Sequence, residues 1–354
     1  MVRHDTVTWD ALELREFCES LLVAKGLRAA DARTVVDVLL HAELRGIETH
    51  GVHRVLVYSG LLSDGVSAEA RPRLVAGERP GVQVVEADNC LGPVAADLAM
   101  RECIATARRT GVAAVGVRGS NHCGALGYYA MQAAREDMVG IAVSNAPPSM
   151  APWGGRERLL GNNPVAIAAP GAGVPPVVFD GSFARAFPLK LEWARGEGLP
   201  VPADWLLDAD GTPTADPDAA GSGTFRPVGD HHGSGLALMM GLLAAALPGA
   251  FFGREMLTPD GRPRPGVDGH LMLALDCAAF GDVDEFKRRV RTIVEDLETS
   301  AAAGADGEVR VPGHRGALLE ANRTANGVPV RADTHARLTD LANDLGVHRK
   351  VRHP

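Results

Sequence analysis

The feature that most constrains the fold is a missing one. Short apolar strands recur through the middle of the chain, yet none runs into a G-x-G-x-x-G turn. Residues 82–87, 112–117, 140–144, 165–169, 176–179 and 270–275 read as strands of small and β-branched residues, punctuated by Gly, Pro and Asn. A helix is expected over 93–110, with Val94, Leu98 and Ile104 inward. Without the glycine fingerprint a conventional Rossmann domain is not expected, and strands and helices alternate with no regular βαβ count. The fold class is therefore mixed α/β or α+β.

Helices dominate both ends. Leu14, Phe17, Leu21 and Ala24 repeat at helical spacing up to Gly26, and Ala32, Val35, Val36 and Leu39 form a second face that stops at Gly46. A third short helix is expected to carry Val52, Val55 and Leu56, and two more lie over 286–297 and 331–345. The run from Gly235 to Gly253 is apolar, but it contains Pro248 and several glycines, so it reads as a buried helix rather than a membrane span. Residues 196–230 show almost no periodicity. Within them, Asp208-Ala-Asp-Gly-Thr-Pro213 is a turn and not a calcium loop, because no glutamate stands at the twelfth position.

The chain has 354 residues, enough for two or three domains, and a net charge of −8 with no basic block. That balance argues against nucleic acid and anionic membrane as partners. Five scattered cysteines with no C-x-x-C spacing, and an N-terminus lacking the apolar core of a secretory signal, point to a reduced, cytoplasmic protein.

Chemistry concentrates in four segments at predicted strand ends or helix starts. In Thr49-His-Gly-Val-His-Arg54, a helix beginning near Gly51 would put His50 and Arg54 on one face, an imidazole beside a guanidinium. That pairing suits a site that holds a carboxylate and moves a proton next to it. The second segment is Ser120-Asn-His-Cys-Gly124, and the third is the turn Leu160-Gly-Asn-Asn-Pro164. The fourth, Gly229-Asp-His-His-Gly-Ser-Gly235, opens the apolar helix and offers backbone N–H groups to an anion. Among His50, His53, His122, Cys123, His231 and His232 no pair has HExxH or CxxC spacing, so no metal is expected.

Taken in order, these segments and several others resemble the type-2 malate/L-lactate dehydrogenase family almost end to end. The landmarks are Arg45-Gly-Ile-Glu-Thr-His-Gly-Val-His-Arg54, Asn121-His-Cys-Gly124, Pro152-Trp-Gly-Gly155, Gly161-Asn-Asn-Pro164, Trp205 through Asp216-Pro217, Gly233-Ser-Gly-Leu-Ala-Leu238, Gly269-His270 and Val311-Pro-Gly313. The resemblance implies a non-Rossmann NAD(P)-binding sheet core over about 73–284, in which 120–150 can form a small subdomain. It also implies a helical domain from 1–72 and about 285–354, and a homodimer with its active site near the interface. By resemblance, His50 and His122 are the acid–base histidines, Arg54 clamps the substrate carboxylate, and Asn121 and His232 also touch substrate. Asn162, Asn163, Pro164, Asp180, Ser182, His232 and His314 would face the cofactor. The implied reaction is hydride transfer between NAD or NADP and a small 2-hydroxy, 2-oxo or imino carboxylic acid.

The departures cluster at the cofactor motifs. The usual D-M-A-T-S reads Asp180-Gly-Ser-Phe-Ala184, the lysine and tyrosine of H-K-G-Y-G-L are His232 and Ser234, P-G-E ends in His314, and a customary hydroxyl residue is Ala146. Two lost charge-assisted hydrogen bonds, at about 1.5–3 kcal/mol each, would weaken dinucleotide binding by about a hundredfold or more unless replaced. The alternative expectation is a cofactor-independent lyase, isomerase, decarboxylase or cyclase that uses the retained histidines and Arg54.

Overall fold

The computed structural model describes residues 5–303 and 307–348. The chain begins with β1 (Thr6–Trp9), α1 (Ala11–Ala24) and α2 (Ala29–Leu44), then a 3-10 turn (Glu48–His50) and α3 (Arg54–Ser63). Asp10 starts α1 by accepting from the N–H groups of Leu12 and Glu13, and α1 buries Leu14, Phe17, Cys18, Leu21 and Leu22. The helix expected near Gly51 begins only at Arg54, because Gly51 is extended (ψ −154°) and breaks the helical path.

A sheet follows: β2 (Arg73–Ala76), β3 (Val82–Glu86), α4 (Gly92–Thr110), β4 (Val112–Ser120), α5 (Gly127–Arg135), β5 (Met138–Ser144), β6 (Val165–Ala169) and β7 (Val177–Gly181). Next come α6 (Pro188–Gly196), the two-residue strands β8 (Leu206–Leu207), β9 (Pro213–Thr214) and β10 (Thr224–Phe225), and α7 (His231–Gly241) with a π turn at Leu242–Ala246. The chain closes with β11 (Asp268–Asp276), α8 (Val283–Glu298), α9 (His314–Asn326), β12 (Val328–Arg331) and α10 (Ala332–Asp344).

The large sheet has seven strands in the order β2-β3-β4-β11-β5-β6-β7. Only β3 and β4 run parallel; every other neighbouring pair is antiparallel. This is a mixed α/β fold without the parallel sheet of a Rossmann domain, as the sequence predicts. On one face lie α4 and α5, whose buried residues are mostly small (Ala95, Ala96, Ala99, Ala107, Ala130, Ala133) and let the helices pack closely against the strands. The π turn after α7 packs on the other face beside Val143, Val165 and Leu271.

The chain ends join the N-terminal helices to the sheet. β1 pairs with β12, and Arg45 at the end of α2 ion-pairs with Glu320 of α9 at 2.7 Å and donates to the Gly313 carbonyl at 2.9 Å. Arg323 of α9 donates to the Glu43 carbonyl. The stretch that reads as irregular, residues 196–230, contains the three-stranded sheet β10-β8-β9, packed around Leu206 and Phe225. Two-residue strands are too short to show an alternating pattern. Among the described residues no helix is long and apolar enough to cross a membrane.

Candidate active site

The segment from Glu43 to Arg54 converges with the end of β4. Glu43 is 4% exposed and its Oε2 accepts the Val52 N–H at 2.9 Å, pinning the turn between His50 and Arg54. A Cβ on Gly51 would lie 1.9 Å from that same oxygen, so any larger residue there would displace the Glu43 carboxyl. Opposite, Gly92 opens α4 against the loop after β4, where a Cβ would meet the carbonyl oxygens of Asn121 and His122 at 2.0 and 2.4 Å. Two close backbone approaches thus bring His50 and His122 together, stacked at 5.5 Å between ring centroids with 23° between planes.

His122 has a defined tautomer. The Gly124 N–H donates to its Nδ1 at 3.3 Å and the Tyr58 hydroxyl lies 2.9 Å from the same atom, so Nδ1 accepts and the proton sits on Nε2. Burial, then the nearby Arg54, His50 and His270, push its proton affinity well below the ordinary imidazole value. His50, whose Nδ1 contacts Thr49 Oγ1 at 3.0 Å, is pushed down to about 3 by burial and by Arg54. Both rings are neutral at physiological pH.

Arg54 is anchored through Nε to the Thr49 carbonyl at 2.9 Å, and its terminal nitrogens make no hydrogen bond to any described residue. The guanidinium is therefore oriented yet open, the arrangement a planar anion needs. The Arg54 guanidinium is close enough for its charge to act on His50, as expected from the sequence, but through the 3-10 turn folding back and not through a shared helix face.

Below the two rings, His270 of β11 is fully buried between Ser144 Oγ on Nδ1 and Ser120 Oγ on Nε2, each at 2.9 Å. Ser144 donates onward to the Asn145 carbonyl at 2.9 Å. The chain of bonds crosses β4, β11 and β5 at one level and holds the loops that leave them.

The other expected site residues are distributed differently. Asn121 brackets three segments, donating to Asn89 Oδ1 and the Cys90 carbonyl and accepting from the Gly266 N–H. Asn163 is fully buried, its amide engaged at both ends by the Ala146 N–H and the Ala237 carbonyl. The carbonyls of Asn162 and Pro164 accept from Phe183 and Ser144. Asp180 caps the start of α5 by accepting the Gly127 N–H at 2.8 Å, and burial pushes its carboxyl up to about 6. His232 is exposed at the start of α7, its ring 3.9 Å from that of His231. His53 is buried and pushed down to about 4 by burial and then by Arg337 and Arg54.

Ser182 and His314 stand apart. Ser182 Oγ and His314 Nε2 are buried with no hydrogen-bond partner among the described residues, and His314 Nδ1 is held by Glu298 at 2.8 Å. They flank the edge strand β7: Ser182 follows it, and Gly313 packs on Val178 near its start, where the Val178 N–H donates to the Pro312 carbonyl. Val178 and Ser182 are four positions apart along the chain, about 13 Å. Among the described residues no group of three His, Cys, Asp or Glu side chains gathers to hold a metal ion. A surface recess of about 560 Å³ lined by Ala194, Arg195, Leu199 and Asp216 contains none of these groups.

Sequence reading missed Tyr58, Glu43, Asp268 and the Ser120–His270–Ser144 chain. Tyr58 was within reach, four residues after Arg54 on one helix.

Residues 9–339 match the family described as malate/L-lactate dehydrogenase. The chain belongs to that family. Among its relatives is (2R)-3-sulfolactate dehydrogenase (NADP(+)) of Chromohalobacter salexigens, 39% identical over 322 residues, covering 88% of this chain and 92% of the relative. Another is ureidoglycolate dehydrogenase (NAD(+)) of Escherichia coli K12, 31% identical over 327 residues, with 92% and 93% covered. The solved malate dehydrogenase of Pyrococcus horikoshii OT3 superposes with a TM-score of 0.89 at 29% identity, over 99% of each chain. All three members are named as dehydrogenases, which supports the redox expectation and lends nothing to the cofactor-independent alternative.

Proposed function

We propose that this chain is an NAD(P)-dependent dehydrogenase or reductase that transfers a hydride to or from C2 of a small 2-hydroxy, 2-oxo or imino carboxylic acid. The observation that carries the reading is the open guanidinium of Arg54 beside the stacked, neutral pair His50 and His122, in a member of this family. Arg54 takes the substrate carboxylate as a two-point anion. His122 directs Nε2–H toward the C2 oxygen and polarises it, with Tyr58 and Gly124 fixing the ring. Arrival of the carboxylate offsets the field of Arg54, one of the causes that depress both histidines; His122 then takes a proton from solvent on Nδ1, with the Tyr58 hydroxyl turning to accept from it, and delivers its Nε2 proton to that oxygen. The nicotinamide cofactor, when bound, supplies or accepts the hydride. Ser182 and His314 fit its polar groups, because each keeps a buried polar atom without an internal partner. Asn162, Pro164, Asp180 and Asn163 shape the surrounding loops, and His232 meets solvent where a phosphate can reach it.

The test is NADH and NADPH oxidation with a panel of 2-oxo acids. Turnover in the wild type with a loss of roughly 10²–10⁴-fold in His122→Gln supports the reading; no hydride transfer with either cofactor overturns it.

The exposed apolar side chains of α7 and its continuation (Leu236, Met239, Leu242 and Leu247) support a homodimer built on this helix. Five buried, unpaired cysteines support a reducing, cytoplasmic setting.

A further inference from the structure

One buried carboxylate beside the candidate site has no partner among the described residues. Asp268 opens β11 directly across from Ser120, two residues before His122, and is only 8% exposed. Its side chain makes no hydrogen bond or ion pair with any described residue, whereas the other buried acids are all answered. Glu43 accepts the Val52 N–H, Asp180 accepts the Gly127 N–H, and Asp97 is met by Gln132 and Arg101. Asp268 is close enough that its charge strengthens the hold of Tyr58 and Cys123 on their protons, and the Tyr58 hydroxyl is the group bonded to His122. Asp268 is absent from the charges that act on Arg54, so the two are not an internal pair.

A carboxylate stripped of water and left without a donor is costly, and it persists where something outside the protein completes it. Neither of its oxygens is among the fully enclosed side-chain atoms without a partner, so the carboxylate still reaches an open space. A second anion in that space would be repelled, while a cation with N–H groups would satisfy it. Burial alone pushes the carboxyl up to about 7, so a cation arriving beside it would draw it into its charged form.

We propose that Asp268 is a substrate-contacting specificity residue that binds a positively charged nitrogen of the substrate, so that this enzyme takes zwitterionic acids, carboxylate on Arg54 and nitrogen on Asp268. Of the substrates for which the relatives above are named, malate and sulfolactate carry a second anionic group and ureidoglycolate a neutral ureido group, and none carries a positively charged nitrogen. The proposal rests on the site assigned under the proposed function, but its test does not require turnover.

Isothermal calorimetry on the full chain compares four probes: isoserine and proline, which carry a protonated nitrogen, with lactate and malate, which do not. The expected result is that isoserine or proline binds about ten- to a hundredfold more tightly than lactate and malate, and that Asp268→Asn removes the preference by weakening the zwitterions and not the anions. Malate binding as tightly as the better zwitterion in the wild type overturns the proposal, as does a preference that survives Asp268→Asn. Should that variant fail to fold, the wild-type ranking alone decides. Equal losses for every probe in Asp268→Asn would mark a structural role and also overturn it. A zwitterion preference without hydride transfer from NADH or NADPH would refute the redox reading and leave the role of Asp268 standing.

Discussion

Glu43 makes the site turn sensitive to pH, and its replacement by glutamine gives a quantitative check. Burial raises its carboxyl from 4.5 to about 7, against the pull of the Val52 N–H bond, with Glu48 adding to the rise and Arg323 opposing it. Native Glu43 therefore holds its proton where the unfolded chain has lost it. An acid whose folded pKa is raised contributes stability below its unfolded pKa and loses that contribution as pH rises through the folded one. The difference of about 2.5 units, at about 1.36 kcal/mol each, amounts to roughly 3 kcal/mol. Glu43→Gln keeps an oxygen for Val52 and does not titrate. Urea unfolding of both proteins from about pH 5 to about pH 8 should show the wild type losing roughly 2–3 kcal/mol relative to the variant. A gap that is flat, or that moves in favour of the wild type with rising pH, would refute the buried, protonated Glu43.

Gly51→Ala drives a methyl group into the Glu43 carboxylate, so kcat/KM should fall at least about tenfold. In a Glu43→Ala background the same change should cost much less, and additive losses in that double-mutant cycle would refute the clash. Tyr58→Phe removes the hydroxyl from His122 Nδ1 and should lower kcat about tenfold with KM little changed, measured by steady-state kinetics. Asn163→Ala breaks the ties to Ala146 and Ala237, and thermal unfolding should show a loss of about 2–4 kcal/mol.

The fold class and the meeting of His50, His122 and Arg54 were legible because they rest on patterns the chain spells out: apolar strands, glycine breaks and ordered motifs. Elements with no periodic apolar face were not. No residue of α9 is buried, since it grips α2 through Glu320 and Arg323 and not through an apolar stripe. Asp268 and the Ser120–His270–Ser144 chain were invisible for another reason. Their meaning comes from strand register, which pairs Asp268 with Ser120 and His270 with Ser144 across long intervals of sequence. The cofactor residues divide likewise. Asn163 and Asp180 match the family motif, yet they bond to backbone, while the divergent positions Ser182 and His314 keep unanswered polar atoms.

The clasp between α2 and α9 also has a consequence for how the molecule is made. Arg45, at the end of the helix leading into the His50 turn, closes its ion pair with Glu320 across 275 positions, and β1 waits for β12. A ribosome releases residues 41–54 long before their partners exist, so this segment emerges early and is finished last. Assembly of the reactive site is thereby tied to completion of nearly the whole chain, and a prematurely terminated product should fold its central sheet without gaining activity.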